Sequence, residues 1–412
     1  MCKWKIKYKE ALWVFALSRL IILLTSAISI FVLPQFIPEL RRQIALSAPY
    51  SSDIYTLRVF LNSWFRWDVK AYINISFHGY KHTPDTAFFP LWPLIQHFGG
   101  LLLGGHFPDS YYIAGLLLAN LCFFFALVLL YQLLSEDFDP ALARRTLIYL
   151  TFAPYAIFFF AGYTESLFVL LCIAFFLFLR RGKPMDWWLA GSLGFLAALT
   201  RSLGLLLAVP FFVMYIRHFW IPPQWDKHSL RLKLNALAPI LLLPAATLTY
   251  MFYLNYTKGD PFLFKTEEEA VWHRHFTLPW DIYSLMMKVF TTLLSSLSLH
   301  SLSLTSIEFL GLNILYSFFA LLPLGILVLG WKRIPIHYAL FSLIYLIFVL
   351  STIADASIPF YSHPRYMIIL YPISVIFAVW GKHPRLHRWF VTISLVLFVI
   401  NTISFTTGLW TS

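Results

Sequence analysis

Long apolar runs constrain the fold of this chain more than any other feature of its sequence. A helix that crosses the hydrocarbon core of a bilayer needs about 20 mainly apolar residues. Hydrophobic residues make up 59% of the chain and charged residues only 12%, which excludes a water-soluble globular domain. We therefore predict an all-α polytopic membrane protein with about eleven crossings. The apolar runs lie at 11–33, 110–134, 146–161, 165–180, 187–200, 203–217, 234–256, 305–330, 336–353, 366–381 and 388–409.

The basic residues predict how these helices are oriented. Short cytoplasmic loops of membrane proteins are enriched in Lys and Arg. With a cytoplasmic N-terminus, 18 of the 31 Lys and Arg residues fall on short inside segments, and the outer segments carry a slight excess of acid. Membrane orientation therefore accounts for the formal net charge of +12, and nucleic-acid binding is not predicted.

Polar residues concentrate in segments expected on the outer face. The turns GYTES, Gly162 to Ser166, and LTRSLG, Leu199 to Gly204, reverse two helix pairs. The longer outer regions are 34–109, 257–304 and 354–365, and within them 281–300 is expected to form an amphipathic helix on the membrane surface. Irregular backbone at membrane depth is tolerated where it lines a cavity, so we expect these regions to roof one.

Ionisable side chains near a membrane are costly and commonly mark a functional site. The alternative for each of them is an ion pair that only holds loops together. Asp68 differs from the others because Trp67, Tyr72 and Tyr80 lie close to it in the sequence. Aromatic rings line sugar sites, although they also occupy membrane interfaces. The outer set is Arg66, Asp68, Lys70, Glu165, Arg201, Arg274, His363 and Arg365.

The sequence gives little support for a metal or a nucleotide. His273 and His275 flank Arg274, and His383 and His387 lie in a basic inside loop, but neither pair has nearby carboxylates or thiolates typical of a metal site. No cofactor is required by these patterns, and a divalent metal stays an open alternative. A glycine-rich phosphate loop after a strand is also absent, so a cytosolic nucleotide sugar is not predicted.

Five motifs, in order along the chain, resemble those of PIG-V-type mannosyltransferases. They run from about residue 11 to 381. The motifs are RWDVKAYINISFHGY with AFFPLWPL, PYAIFFFAGYTESLF, LTRSLGLL, GDPFLFKTEEEAVWHR with LPW, and HPRY. The sequence departs from the family at two positions. Thr164 stands where a serine is common, and Leu203 makes the motif RSLG where the family has RSNG. Both differences concern the choice of acceptor.

This resemblance implies a GT-C glycosyltransferase fold, with large extracytoplasmic loops and short re-entrant or interfacial helices. It implies a catalytic module at 1–256, which contains outer loop 34–109, and a variable transmembrane module at 257–412, which contains outer loop 257–304. The implied donor is a polyprenyl-phosphate sugar, typically mannose, and the acceptor a lipid or glycan. The chain is shorter than expected for eukaryotic members, which favours a prokaryotic cell membrane with the site facing outward.

By position in the first outer loop, the family's catalytic acid maps onto Asp68. A sugar hydroxyl is a poor nucleophile at neutral pH, so a carboxylate must accept its proton. We expect Asp68 to act as general base in a single displacement with inversion. Fixed cations must stabilise the departing phosphate, and Arg201 and Arg365, with His363, are the predicted donor phosphate site. The predicted substrate-binding residues are Trp67, Tyr80, Glu165, Trp272 and Arg274.

The main alternative is a polytopic transporter or flippase for a lipid-linked sugar. Such a protein would also contain broken helices and buried charges. Transporters commonly show an internal repeat in two halves. No repeat is evident here, and the polar motifs are concentrated in outer loops. This pattern favours an enzyme that acts on one side of the membrane.

Overall fold

The computed structural model describes residues 8–40, 44, 57–221, 229–296, 304–353 and 358–409, and almost all of its regular structure is helical. The α-helices of four residues or more, in chain order, are α1 (Tyr8–Ala27), which continues through a π-helical turn (Ile28–Val32) and a last turn (Leu33–Phe36), α2 (Leu57–Asn62), α3 (Asp68–His78), α4 (Leu91–Leu102), α5 (Asp109–Asp137), α6 (Pro140–Thr151), α7 (Glu165–Arg181), α8 (Pro184–Thr200), α9 (Ala208–Phe219), α10 (Leu230–Leu237), α11 (Leu242–Lys258), α12 (Leu263–Trp272), α13 (Pro279–Ser296), α14 (Leu304–Gly330), α15 (Ile336–Leu350), α16 (His363–Met367), α17 (Tyr371–Trp380) and α18 (Pro384–Thr407). The described residues also include short 3-10 turns at Thr83–Ala87, Ala156–Phe159, Ser202–Leu207, Ala238–Leu241 and Trp331–Arg333. Two short strands, β1 (His275–Phe276) and β2 (Thr352–Ile353), pair antiparallel.

The length and composition of these helices are those of a multi-pass membrane protein. Six helical segments among the described residues are long and apolar enough to cross a bilayer, and α15 and α17 are shorter apolar helices. The all-α polytopic fold is therefore confirmed, whereas the expected number of about eleven crossings is not. The six segments are Tyr8–Phe36, Asp109–Asp137, Ser202–Phe219, Leu230–Lys258, Leu310–Arg333 and Pro384–Thr407.

One expected crossing, 146–161, is divided by a break in its helix. Helix α6 ends at Thr151, and a 3-10 turn follows at Ala156–Phe159. Pro154 lies between them, and proline both lacks the N–H that would continue the helix and disfavours helical backbone at the preceding residue. The chain therefore turns before α7 begins at Glu165.

A half-buried arginine of α1, Arg19, satisfies the backbone at this break. Arg19 Nη2 donates to the carbonyl oxygen of Phe159 at 3.1 Å. Arg19 Nε donates to Asn120 Oδ1 at 2.8 Å, and Asn120 Nδ2 donates to the carbonyl of Phe160 at 3.2 Å. Unpaired backbone groups are costly in a membrane protein, so these bonds stabilise the turn that leads to Glu165.

Charged residues gather at both ends of helix α7. At its C-terminal end, Arg180 pairs with Glu136 at 2.5 Å and also with Asp137, to which Tyr338 donates a hydrogen bond of 2.6 Å. Arg180 ends the expected crossing 165–180, at the inside end opposite the outer turn that contains Glu165. Glu165 begins the same helix, so it lies roughly 23 Å away at 1.5 Å per residue. The outer set of charges is therefore assembled at the opposite end of α7.

Candidate active site

A polar cavity of about 630 Å³ lies at the Glu165 end of the bundle. Each of the three outer regions predicted from the sequence contributes to its lining. Residues of both expected modules, 1–256 and 257–412, line the cavity. The division of the chain into these two modules stays a prediction. Its polar and aromatic lining includes Asp68, Tyr72, Phe88, Arg201, Glu268, Trp272, Arg274, Tyr361, His363, Arg365 and Tyr366.

Asp68 is placed in the cavity by the start of helix α3. It is the first residue of that helix, and a helix N-terminus stabilises negative charge. The preceding residue, Trp67, has a positive φ of 47°, a conformation that is uncommon for a bulky side chain. The Trp67 ring packs edge-on against Phe405 at 4.9 Å between ring centroids. This turn directs Asp68 into the cavity while the Trp67 ring packs elsewhere.

An ion-pair network joins Asp68 to residues far away in the sequence. Arg365 Nη1 donates to Asp68 Oδ2 at 2.7 Å, and Arg365 Nε lies 3.3 Å from Glu165 Oε1. Arg201 Nη1 donates to the same Glu165 oxygen at 2.8 Å. Arg365 therefore lies between the two carboxylates, and Glu165 lies between two guanidinium groups.

Asp68 and Glu165 occupy different environments within this network. The side chain of Asp68 is 15% exposed and lines the cavity, whereas that of Glu165 is 1% exposed and does not. Burial of a carboxylate is tolerated when cations compensate its charge, as Arg201 and Arg365 do for Glu165. Of the two carboxylates, only Asp68 is therefore in a position to contact a substrate in the cavity.

The ring of Tyr366 is surrounded by three guanidinium groups. The guanidinium carbons of Arg201, Arg274 and Arg365 lie 4.7, 4.8 and 5.0 Å from its centroid. Arg365 Nη2 also donates to the Tyr366 hydroxyl at 3.1 Å. The negative face of an aromatic ring attracts cations at such distances. Our sequence analysis did not single out Tyr366, although HPRY places it directly after Arg365.

His363 lines the same cavity, but both of its ring nitrogens face backbone carbonyls. Nε2 lies 2.9 Å from the carbonyl oxygen of Val349, and Nδ1 lies 3.2 Å from that of Tyr361. Burial, reinforced by the positive charge of Arg274, lowers the pKa of His363 from 6.5 to about 4. The backbone carbonyls act in the opposite direction on this pKa, and a neutral imidazole donates a hydrogen bond to only one of them.

The remaining predicted residues divide between the cavity and the packing around it. Trp272 and Arg274 line the cavity. Tyr80 does not, because its hydroxyl donates to the carbonyl of Phe88 at 2.7 Å and its ring packs 5.9 Å from that of Tyr250. Together with Trp67, Tyr80 therefore supports the walls of the cavity instead of contacting its contents.

Arg66, next to Trp67, also has a packing role. Its Nε donates to the carbonyl of Ser63 and its Nη2 to that of Thr406, each at 2.7 Å. Because Thr406 belongs to the last turn of α18, Arg66 joins the first outer loop to that helix end.

Within the described residues, no group of three or more His, Cys, Asp and Glu side chains lies close enough to hold a metal ion.

These features define a multi-pass membrane protein with a polar, ion-paired cavity at one end of its helices. The chain belongs to the mannosyltransferase (PIG-V) family, whose sequence profile matches residues 8–272. Asp68, Glu165 and Arg201 lie within the matched range. Arg274, His363 and Arg365 lie beyond it.

Two curated mammalian enzymes are similar to part of the chain. The GPI alpha-1,6-mannosyltransferase 2 of Rattus norvegicus is 31% identical over 172 residues, which cover 39% of this chain and 33% of the rat enzyme. The Cricetulus griseus enzyme of the same name is 28% identical over 211 residues, which cover 48% of this chain and 40% of that enzyme. The similarity therefore spans less than half the length of these relatives.

Among solved structures, the chain is similar to the oligosaccharyltransferase of Archaeoglobus fulgidus. A crystal structure with zinc and sulfate has 13% sequence identity and a TM-score of 0.41, covering 96% of this chain and 52% of that one. The same organism's AglB, in complex with an inhibitory peptide and a dolichol-phosphate, has 13% identity and a TM-score of 0.43, covering 98% of this chain and 56% of that one.

Proposed function

We propose that this protein transfers a mannosyl group from a polyprenyl-phosphate donor to a hydroxyl group of a lipid-linked or glycan acceptor. The reaction takes place at the extracytoplasmic face of a prokaryotic cell membrane, proceeds with inversion and uses Asp68 as general base. The observation that carries this proposal is the placement of the Asp68 carboxylate on the cavity wall, fixed by Arg365 at 2.7 Å. Membership of the mannosyltransferase family supports the reaction class.

The chemistry needs one carboxylate in contact with the acceptor. Asp68 accepts the proton of the acceptor hydroxyl as its oxygen forms a bond to the anomeric carbon. The bond from that carbon to the donor phosphate breaks, and its electron pair stays on the phosphate oxygen. The products are the mannosylated acceptor, polyprenyl phosphate and a protonated Asp68, which returns its proton to water.

We propose inversion from the positions of Asp68 and Glu165, the two carboxylates that share Arg365; Glu268, which also lines the cavity, lies 4.0 Å from Arg274. Retention by double displacement, as in retaining glycoside hydrolases, needs a second carboxylate as nucleophile, about 5 Å from the first and in contact with the sugar. Glu165 is 1% exposed and does not line the cavity. It orients Arg201 and Arg365, and the displacement occurs in one step at the anomeric carbon, with Asp68 as the base that accepts the proton of the acceptor hydroxyl.

The cavity also provides positive charge for the leaving group. The phosphate gains negative charge as the glycosidic bond breaks, and fixed cations in a partly dry site stabilise that charge. Arg201, Arg274 and Arg365 converge around Tyr366 beside Asp68. The aromatic ring of Trp272, on the same wall, provides an apolar surface for the sugar.

A transfer assay with radiolabelled polyprenyl-phosphate mannose tests the proposal directly. Purified protein in native lipid extract should move label to an acceptor, and Asp68→Asn should lower the rate by roughly 100-fold or more. Asp109→Asn is the matched control. Asp109 is also the first residue of a helix, but it is exposed and does not line the cavity.

The outcomes separate an enzyme from a transporter. Full transfer by a folded Asp68→Asn variant would remove the assignment of the base. If the wild type transfers no label but moves the intact lipid-linked sugar between leaflets of a vesicle, the protein is a flippase. NMR of the product should show an anomeric configuration opposite to that of the donor.

A further inference from the structure

Arg274 differs from the other two arginines around Tyr366 in how its charge is balanced. Arg201 and Arg365 each donate a hydrogen bond to a carboxylate, at 2.8 and 2.7 Å. The nearest carboxylate oxygen to Arg274 belongs to Glu268 at 4.0 Å, which is beyond hydrogen-bonding distance. Among the described residues, the Arg274 side chain therefore has no hydrogen-bonded counter-ion, although it lines the cavity.

The backbone holds Arg274 in place from both sides. Helix α12 ends at Trp272, and His273 then adopts the left-handed conformation with φ of 54°. The N–H of Arg274 donates to the carbonyl of Glu268 at 3.3 Å. The next residue, His275, begins strand β1 and pairs with Ile353 of β2. The end of helix α12 and the strand pair therefore fix the backbone of Arg274, so less conformational entropy is lost when the residue binds a ligand.

Tyr366 fixes the guanidinium group itself. The guanidinium carbon of Arg274 lies 4.8 Å from the Tyr366 ring centroid. A guanidinium held over a ring by cation–π attraction can still direct N–H donors toward an anion. Only 14% of the Arg274 side chain is exposed, so its charge is screened less by water than a surface charge.

We propose that Arg274, held over the Tyr366 ring, is the residue that binds the donor phosphate, while Arg201 and Arg365 hold the carboxylates in position. This inference rests on the proposed function, because it assigns one residue of the same site to one group of the donor. It differs from the sequence-based expectation, in which Arg201 and Arg365 bind the phosphate. An arginine whose side-chain donors are not hydrogen-bonded can form two parallel bonds to a phosphate without breaking an internal hydrogen bond.

Direct binding of undecaprenyl phosphate tests this assignment. Its dissociation constant, compared with that of undecaprenol, measures what the phosphate contributes. Arg274→Gln should weaken binding of undecaprenyl phosphate by roughly 10- to 100-fold and leave that of undecaprenol unchanged. Arg274→Lys keeps the charge but loses the planar fork of donors. Its dissociation constant for undecaprenyl phosphate should therefore lie between those of the wild type and Arg274→Gln. Lys258→Gln, which removes a charge outside the cavity at the same end of the bundle, is the control and should bind as the wild type does.

The outcomes separate this inference from the proposed function. If Arg274→Gln binds undecaprenyl phosphate as tightly as the wild type, and the wild type transfers mannose, the assignment to Arg274 is wrong and the function stands. If the wild type neither prefers the phosphate over the alcohol nor transfers mannose, the proposed function falls and this inference falls with it.

Tyr366 acts as a positioning residue in this scheme. Tyr366→Phe keeps the ring and removes the hydroxyl that accepts from Arg365, whereas Tyr366→Leu removes the ring as well. We expect Tyr366→Leu to weaken binding of undecaprenyl phosphate by roughly tenfold more than Tyr366→Phe does. If the two variants bind equally while both melt as the wild type does, the ring does not hold Arg274.

Discussion

Arg365 and Asp68, which are 297 positions apart in the chain, form a hydrogen-bonded ion pair of 2.7 Å on the wall of the polar cavity. The arginine side chain is 7% exposed and that of the aspartate 15%. A pair so shielded from water is costly to disrupt, because the remaining partner keeps an uncompensated charge. This ion pair connects the first outer loop to helix α16, which contains Arg365.

Replacing Arg365 should affect both stability and transfer. Arg365→Gln leaves Asp68 without its charged partner, so we expect the free energy of unfolding to fall by about 3 kcal/mol. Transfer should fall at least roughly tenfold because the base loses its fixed orientation. Thermal unfolding in detergent and initial rates of mannosyl transfer measure the two effects.

A surface ion pair of similar length provides the control. Arg144 Nη2 lies 2.8 Å from Glu10 Oε1, but the arginine side chain is 55% exposed. Exposed pairs contribute little, so Arg144→Gln should cost less than about 1 kcal/mol. Equal losses in Arg144→Gln and Arg365→Gln would contradict the view that burial gives the Arg365 pair its importance.

Glu165→Gln should destabilise the protein without changing the stereochemistry of the reaction. The substitution removes the negative charge between Arg201 and Arg365, and we expect a loss of about 3 kcal/mol in the free energy of unfolding. The residual product should keep the wild-type anomeric configuration. A fluorinated mannosyl donor should give no covalent adduct with the wild-type protein by mass spectrometry. An adduct on Glu165 would show that it is a nucleophile and that transfer is retaining.

Gly204 is required for the close approach of two backbone segments next to Arg201. A Cβ at this position would lie 2.3 Å from the nitrogen of Ala198 and 2.4 Å from the carbonyl carbon of Ala197, both backbone atoms of α8. Gly204→Ala must therefore shift the turn and move Arg201 away from Glu165. We expect a loss of about 2 kcal/mol in stability and a lower transfer rate.

Gly311→Ala is the matched control for this substitution. Gly311 lies within α14, where an added Cβ would meet no atom within 4 Å. Alanine is favoured over glycine in a helix by up to about 1 kcal/mol, so this variant should melt at the wild-type temperature or above it. A Gly204→Ala variant that melts and transfers as the wild type does would mean that the turn is not tightly packed.

His363 should make stability depend on pH in the acid range. Its pKa is lowered from 6.5 to about 4 in the folded protein, so the unfolded chain binds a proton over that interval and the folded one does not. Stability is therefore lost as the pH falls from about 6.5 to about 4, by up to roughly 3 kcal/mol from this group. His363→Gln should flatten the melting temperature over this interval relative to the wild type. Equal slopes for the two proteins would show that folding does not lower the pKa of His363.

Much of the candidate site could be predicted from the sequence, because charged groups in an apolar chain are few and costly. Asp68, Glu165, Arg201 and Arg365 were singled out for that reason, and the structure brings all four into one network. Their pairing could not be predicted, since it joins segments that only tertiary packing brings together. The direction of the Trp67 ring depends on the positive φ of its own backbone, which no local propensity indicates.

The sequence by itself determined the class of fold. Apolar runs of this length must be satisfied within helices in a bilayer, and polar outer segments must lie at their ends. Only the tertiary structure decided which carboxylate faces the cavity and which is buried behind it. That difference arises from packing. Glu165, at the start of α7, is buried against Arg201 and Arg365, whereas Asp68, at the start of α3, lies on the cavity wall. The same packing placed Tyr366 among three arginines, an arrangement that residues from three separate segments create together.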